Sequence, residues 1–175
     1  MKVLVTGGVR SGKSRHAEEL LVGEAAVTYV APGPTTDEDA DPDWADRVAA
    51  HRERRPASWT TLESRDLGAA LAGEGAVLVD CLGTWLTAVL DEAGAWEQPS
   101  AEVHALVASR LTVAVAALSA APGPVVLVTN EVGLGVVPAH RSGRLFRDLL
   151  GTVNQTLGAA CDEVHLVVAG RVLVL

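Results

Sequence analysis

Two hydrophobic patterns alternate along the chain. Short, nearly continuous apolar runs predict buried strands, at residues 2–6, 26–31, 58–62, 76–80, 125–129 and 163–169. Longer segments in which apolar residues recur every three or four positions predict helices, at residues 13–22, 42–55, 67–71, 84–90, 101–120 and 139–160. Ser100 is the predicted cap of the fifth of these helices, and the predicted core positions of the sixth are Leu145, Leu149, Val153 and Leu157. Because strands that alternate with helices are joined by right-handed crossovers, the pattern indicates an α/β fold with a mostly parallel sheet flanked by helices.

The end of the chain breaks this alternation. Gly170 and Arg171 suit a two-residue turn, so residues 172–175 are expected to return as an antiparallel C-terminal edge hairpin. A length of 175 residues suits one domain, spanning 1–175. Apolar residues make up 49% of the chain but aromatic residues only 3%, which favours a core of Val, Leu and Ala.

A phosphate-binding pattern lies between the first strand and the first helix. It has the Walker A spacing, in which a Gly is followed by four residues and then by Gly-Lys-Ser. Glycines let the backbone approach phosphate oxygens, and successive N–H groups with the helix N-terminus favour anions. We expect Lys13 to reach the β- and γ-phosphates and Ser14 to ligate Mg²⁺; the alternative is a glycine turn that only caps a helix. The nucleotide-binding residues predicted here are Gly7, Gly8, Val9, Arg10, Ser11, Gly12, Lys13 and Ser14.

Polar residues also follow two later strands. Asp80 ends the run at 76–80, and Asn130 and Glu131 follow the run at 125–129. Ligands bind beyond the carboxyl ends of parallel strands, so these residues are expected to converge with the Walker A loop. Asp80 is predicted to hold Mg²⁺, directly or through water; the alternative is a cap on the next helix.

An arginine-rich segment occupies residues 47–55. Its four guanidinium groups suit a phosphate site, and nearby positive charge should keep His51 neutral, with a ring nitrogen free to attack phosphorus. The alternative is that His51 packs on a helix stripe with Trp44 and Val48, and spacing alone favours this alternative. Glu63, which ends the next strand, either reaches the same site or is a surface carboxylate.

Other polar residues receive no site role from the sequence. Three arginines of the last helix are interpreted as solvated positions, the alternative being that they line a phosphate site or an oligomer face; they are Arg141, Arg144 and Arg147. Four histidines show no partner pattern, namely His16, His104, His140 and His165. Cys81 and Cys161 are expected to be buried free thiols. A net charge of −8 argues against a nucleic-acid or membrane-surface partner. We predict no signal peptide, no apolar run of membrane-spanning length, and a cytoplasmic location.

Four segments occur in the order found in one family. They are GGVRSGKSRHAEELL, HRERRPASWTTLE, VLVDCLGTWLT and VTNEVGLGVVPAHRSGRLFRDLLGTVNQ. Together they resemble the bifunctional adenosylcobinamide kinase and adenosylcobinamide-phosphate guanylyltransferase family of cobalamin synthesis, over nearly the whole length.

The resemblance implies a RecA-like P-loop NTPase fold, a homotrimer and two reactions. In the first, GTP or ATP phosphorylates the aminopropanol hydroxyl of the corrinoid adenosylcobinamide. In the second, His51 attacks the α-phosphorus of GTP, and adenosylcobinamide phosphate then takes GMP from the histidine to give adenosylcobinamide-GDP. This implication replaces the packing interpretation of His51. The further nucleotide-binding residues that it implies are Ala31, Pro32, Gly33, Arg52, Glu53, Arg54, Arg55, Glu63 and Asp80.

The chain departs from the family pattern after the second strand. Residues 31–34 read Ala-Pro-Gly-Pro where the family has Ala-Thr and a small residue, and the following acidic run is longer and lacks Met. Two other functions stay open on the residues alone: a P-loop small-molecule kinase without nucleotidyl transfer, and a GTP-binding regulatory subunit. The absence of an Asn-Lys-x-Asp guanine-reading motif disfavours an ordinary GTPase switch.

Overall fold

The computed structural model describes residues 1–35, 41–42, 45–46, 48–49, 53 and 55–175. It contains one seven-stranded sheet. The strands are β1 (Lys2–Gly7), β2 (Val27–Ala31), β3 (Thr60–Glu63), β4 (Ala76–Asp80), β5 (Val125–Val128), β6 (Glu163–Val168) and β7 (Arg171–Val174). Their order across the sheet is β3-β2-β4-β5-β1-β6-β7.

Every pairing in this sheet is parallel except that of β6 with β7. The central strands are apolar at consecutive positions because both faces of the sheet are covered. In β4, for example, Val77 and Val79 pack into one core layer, and Ala76 and Leu78 pack into the other. A mostly parallel sheet with an antiparallel C-terminal edge is therefore confirmed.

The helices are α1 (Lys13–Glu19), α2 (Leu67–Leu71), α3 (Leu82–Glu92), α4 (Ser100–Ala120) and α5 (Arg141–Gly158), with a 3₁₀ turn at Ala95–Glu97. Described residues between positions 42 and 53 are also helical. Residues of α2, α3, α4 and α5 form the larger core layer on one face of the sheet. Ala17 of α1 and the following Leu21 are buried on the other face. This arrangement, with a glycine-rich loop between β1 and α1, is the expected P-loop NTPase fold.

The predicted C-terminal turn is wrong by one residue. Val168 pairs with Arg171, so the turn consists of Ala169 and Gly170. Both have a positive φ, 49° and 74°, as the central residues of a two-residue type I′ turn require. The sequence indicated a turn that begins at the glycine, because an alanine with positive φ is uncommon.

The start of α4 also differs from its prediction. The predicted helix cap Ser100 lies inside α4, and the cap position is Pro99. In α5, by contrast, the predicted core positions Leu145, Leu149, Val153 and Leu157 are all buried.

Helix α4 corrects the expectation that no apolar run reaches membrane-spanning length. A window within its 21 residues has a mean hydropathy of 1.6, so by length and composition alone the helix could cross a membrane. About 28% of that window is buried inside the protein. The buried residues recur at helical spacing toward the core, and they are Val103, Val107, Leu111, Ala114 and Leu118.

Candidate active site

The strand order brings the predicted site residues to one edge of the sheet. From β3 to β1, this carboxyl edge carries Glu63, then residues 31–33, then Asp80, then residues 130–131, and finally the Walker A loop. Adjacent strands lie about 4.8 Å apart, so the four steps from β3 to β1 span roughly 19 Å. The expected convergence at one edge is therefore observed.

The Walker A loop has an open, amide-lined shape. Gly8 and Val9 are exposed, while Arg10 and Gly12 adopt positive φ values of 56° and 99°. The ammonium group of Lys13 lies across the loop and donates to the carbonyl oxygen of Gly8 at 3.3 Å. The ammonium group of the lysine therefore lies against the backbone of the loop.

The loop is held from behind by two neighbouring segments. The N–H of Glu131 donates to the Gly7 carbonyl at 3.1 Å, and the N–H of Gly170 donates to the Ser11 carbonyl at 2.8 Å. The β6–β7 turn therefore supports the loop in addition to closing the sheet.

A second group of side chains surrounds Asp80. The hydroxyl of Tyr29 is hydrogen-bonded to the carboxylate of Asp80, and burial together with that negative charge raises the pKa of the phenol well above its usual value. The guanidinium carbon of Arg55 lies 3.3 Å from the centre of the Tyr29 ring, a cation–π contact. Arg55 also donates to the Thr61 hydroxyl at 3.0 Å. The last arginine of the predicted phosphate segment thus lies beside the predicted metal carboxylate.

Tyr29 is a site residue that sequence reasoning missed. It is the single tyrosine of the chain and the one aromatic residue of β2, and that was the available signal. Within the arginine-rich segment, Glu53 is described and exposed. Three predicted site residues lie outside the described part of the chain, namely His51, Arg52 and Arg54.

The solvated interpretation of the α5 arginines missed their hydrogen bonds, although Arg144 is exposed as predicted and Arg141 and Arg147 are partly buried. Arg141 donates to the carbonyls of Trp96 and Gln98, and Arg144 donates to those at positions 138 and 139. Arg147 donates to the carbonyls of residues 133 and 136. Arg144 and Arg147 therefore fix the loop that begins at Glu131, whereas Arg141 ties the 3₁₀ turn to α5.

Two histidines that the sequence left without a role are partners. His16 Nε2 lies 2.8 Å from His165 Nδ1, and His165 Nε2 lies 2.8 Å from the carboxylate of Glu163. An ionised Glu163 only accepts, which places a proton on His165 Nε2 and makes its Nδ1 the acceptor for His16. Burial and, to a smaller extent, the nearby His165 lower the pKa of His16. This series of hydrogen bonds connects the first turn of α1 to β6.

Comparisons with known proteins agree with this geometry. Residues 3–175 match the family described as "Cobinamide kinase / cobinamide phosphate guanyltransferase". The chain is 44% identical to the "Bifunctional adenosylcobalamin biosynthesis protein CobU" of Salmonella typhimurium, with 97% of each chain covered. It is 41% identical to the protein of the same description in Escherichia coli, also with 97% of each covered.

A third relative and a solved structure complete the comparison. The "Bifunctional adenosylcobalamin biosynthesis protein CobP" of Pseudomonas aeruginosa is 39% identical, with 97% of this chain and 94% of the relative covered. The P4 protein of bacteriophage phi13 aligns with a TM-score of 0.43 at 15% identity, covering 98% of this chain and 53% of that one. On the family match and the three relatives, the chain belongs to the cobinamide kinase / cobinamide phosphate guanyltransferase family.

Proposed function

We propose that this chain phosphorylates adenosylcobinamide with GTP or ATP and then transfers GMP from GTP to adenosylcobinamide phosphate, giving adenosylcobinamide-GDP. The observation that carries the proposal is the family match over residues 3–175, together with relatives described as bifunctional. The strand edge that carries the Walker A loop, Asp80 and Arg55 supports a nucleotide site of the required kind.

The nucleotide lies along the carboxyl edge of the sheet. Amides of residues 8–14 and the Lys13 ammonium hold the triphosphate. Arg55, Glu63 and the backbone after β2 extend the site away from the loop, across the roughly 19 Å that separate β1 from β3. Arg52, Glu53 and Arg54 are assigned to the same site by the family resemblance.

Mg²⁺ fits the donors at this edge. The Ser14 hydroxyl and the Asp80 carboxylate are hard oxygen ligands, and Asp80 is held by the Tyr29 hydroxyl. Among the described residues there is no cluster of three His, Cys, Asp or Glu that forms a metal site by itself. Mg²⁺ at phosphate sites is usually held by one or two protein oxygens together with oxygens of the phosphates. When bound, Mg²⁺ neutralises phosphate charge as it develops.

The GMP transfer uses His51 as nucleophile. Its ring nitrogen attacks the α-phosphorus of GTP, an N–P bond forms, and the bond from that phosphorus to pyrophosphate breaks. A phosphate oxygen of adenosylcobinamide phosphate then attacks the same phosphorus, and the N–P bond breaks. Arg55, four residues after His51 in the sequence, lies against Tyr29 beside Asp80, and the role of His51 itself is assigned by the family resemblance.

The covalent step is tested by incubating the protein with GTP labelled at the α-phosphate. We expect label on the protein that is labile in acid and stable in base, as for a phosphoramidate, and no label in His51→Ala. His104→Ala is the matched control because His104 is exposed on α4, and it should label like the wild type. Label retained in His51→Ala would contradict the nucleophile assignment.

Product analysis separates the proposal from its two alternatives. With adenosylcobinamide and GTP, the bifunctional enzyme gives both the phosphate and the GDP derivative. A kinase without nucleotidyl transfer gives the phosphate alone and no covalent GMP. A regulatory subunit binds GTP and converts no corrinoid. Because the two products are resolved separately, loss of one activity through the Pro32-Gly33-Pro34 departure is also detected.

A further inference from the structure

An open cleft lies between α3, the 3₁₀ turn and the first turns of α5. Its volume is about 320 Å³, and its lining is Thr87, Trp96, Ser142, Gly143 and Phe146. These five residues are uncharged, and two of them are aromatic. A cleft with aromatic walls and two hydroxyls suits a neutral, amphipathic molecule, whereas a triphosphate requires the charged edge already described.

The walls of the cleft are fixed before any ligand binds. The indole N–H of Trp96 donates to the Asp91 carboxylate at 2.6 Å. The carbonyl of Trp96 accepts from Arg141, which ties the 3₁₀ turn to α5. The Thr87 hydroxyl donates to the Gly83 carbonyl at 3.2 Å, so its oxygen lone pairs remain available to a ligand N–H.

The cleft adjoins the nucleotide edge through Gly83. A Cβ at this glycine would lie 3.8 Å from the Phe146 ring, 3.7 Å from the Cys81 sulfur and 3.6 Å from the Asn130 amide. Cys81 follows Asp80 and Asn130 follows β5, both at the carboxyl edge. One residue therefore separates the Phe146 wall of the cleft from the ends of β4 and β5.

An exposed apolar loop continues the surface of the cleft. A Cβ at Gly143 would lie 2.9 Å from Pro138, so this loop packs directly on the cleft wall. Leu134 and Val136 are 90% and 95% exposed, although Arg147 fixes the backbone beside both. Apolar side chains that are displayed on a fixed backbone are typical of a contact surface.

From these observations we infer that the cleft and the loop at 133–137 bind the corrinoid. The inference rests on the proposed function and names the side chains of that same site that contact the acceptor. A corrinoid is a broad molecule with an apolar ring system, peripheral amides and no phosphate before the first reaction. It exceeds 320 Å³, so one edge enters the cleft and the rest lies on Leu134 and Val136. Its aminopropanol arm then follows the exposed loop back toward Glu131, where that loop begins at the nucleotide edge.

The test measures corrinoid and nucleotide dependence separately. Trp96→Ala should raise the KM for adenosylcobinamide about tenfold, since aromatic anchors dominate most contact surfaces. Leu134→Ser, at a fully exposed position where folding is not at risk, should raise it about threefold. The KM for GTP and the covalent labelling by GTP alone should stay at wild-type values, because neither needs the corrinoid. Val22→Ala is the matched control: Val22 is 71% exposed beyond the end of α1, at the opposite edge of the sheet.

The possible outcomes test the proposed function and the corrinoid surface separately. If the wild type labels with GTP but converts no adenosylcobinamide, the proposed function fails independently of the cleft. If the wild type converts it and both variants keep the KM within twofold, the corrinoid surface is refuted. If Leu134→Ser instead changes the sedimentation coefficient, the loop is an interface between copies of the chain, and the inference is also refuted. Trp96→Phe, which keeps a ring but loses the bond to Asp91, should fall between the wild type and Trp96→Ala.

Discussion

Replacement by alanine should affect the stability of the protein differently at two adjacent glycines at the start of the Walker A loop. A Cβ at Gly7 would lie 2.7 Å from the Ser11 hydroxyl and closer still to the main-chain carbonyl oxygen of Val167. Both distances are below 3.0 Å, a separation under which Cβ atoms are essentially never found from other heavy atoms. The carbonyl belongs to β6, which pairs with β1 at this position, so it cannot move without disturbing the sheet. At Gly8, a Cβ meets nothing within 4 Å.

We therefore expect Gly7→Ala to lower the free energy of unfolding by about 1–3 kcal/mol, the usual cost of overpacking. Gly8→Ala should leave it unchanged or raise it by up to about 1 kcal/mol, because alanine restricts the unfolded chain. Urea unfolding without nucleotide measures both, with the slope compared to detect a change of the unfolded state. If Gly7→Ala unfolds at the same midpoint as Gly8→Ala, the close approach of β1 and β6 is not the reason for glycine at position 7.

Three further predictions concern titration and packing. Folding lowers the pKa of His16, so His16 takes up a proton in the unfolded chain before it does so in the folded protein as the pH falls through 6.5. The contribution of His16 to stability is therefore present above pH 6.5 and is lost below it. The difference in Tm between the wild type and His16→Gln should shrink from pH 7.5 to pH 5.5. Burial raises the pKa of Cys161 to about 11, so alkylation of its thiol at pH 8 should be about a hundredfold slower in the folded protein than in urea. Mass spectrometry measures both rates, and equal rates would contradict the burial argument. Leu149 is fully buried, and Leu149→Ala should cost about 2–5 kcal/mol in urea unfolding, against less than about 0.5 kcal/mol for the exposed Leu173→Ala.

The sequence predicts well the features that depend on neighbours along the chain. Parallel strands covered on both faces are recognisable as continuous apolar runs, and β4 lies at the residues 76–80 that were predicted. The Walker A loop is equally local, because its glycines, lysine and serine lie within eight residues. The placement of Asp80 and Glu131 at the same edge followed from the rule for parallel sheets, which needs the direction of the strands and no contact between side chains.

Contacts between distant parts of the chain were not predictable in this way. His16 and His165 are 149 residues apart, and no spacing rule relates a helix position in α1 to a strand position in β6. The Tyr29–Asp80 bond likewise depends on β2 lying beside β4, and strand order is a property of the whole sheet. Such pairs require the topology before the side chains can be matched.

The α5 arginines show a further reason why polar residues are misjudged from sequence. The sequence interpretation placed these three residues on a solvated helix face and assigned them no partner. Their partners are main-chain carbonyls of the loop after Glu131 and of the 3₁₀ turn, and every residue type supplies such acceptors, so the sequence carries no mark of them. An arginine opposite an irregular, apolar loop is therefore better interpreted as the donor that keeps that loop in shape. Here the consequence is functional: the same bonds display Leu134 and Val136 to solvent, and the surface proposed for the corrinoid depends on guanidinium groups that the corrinoid itself does not touch.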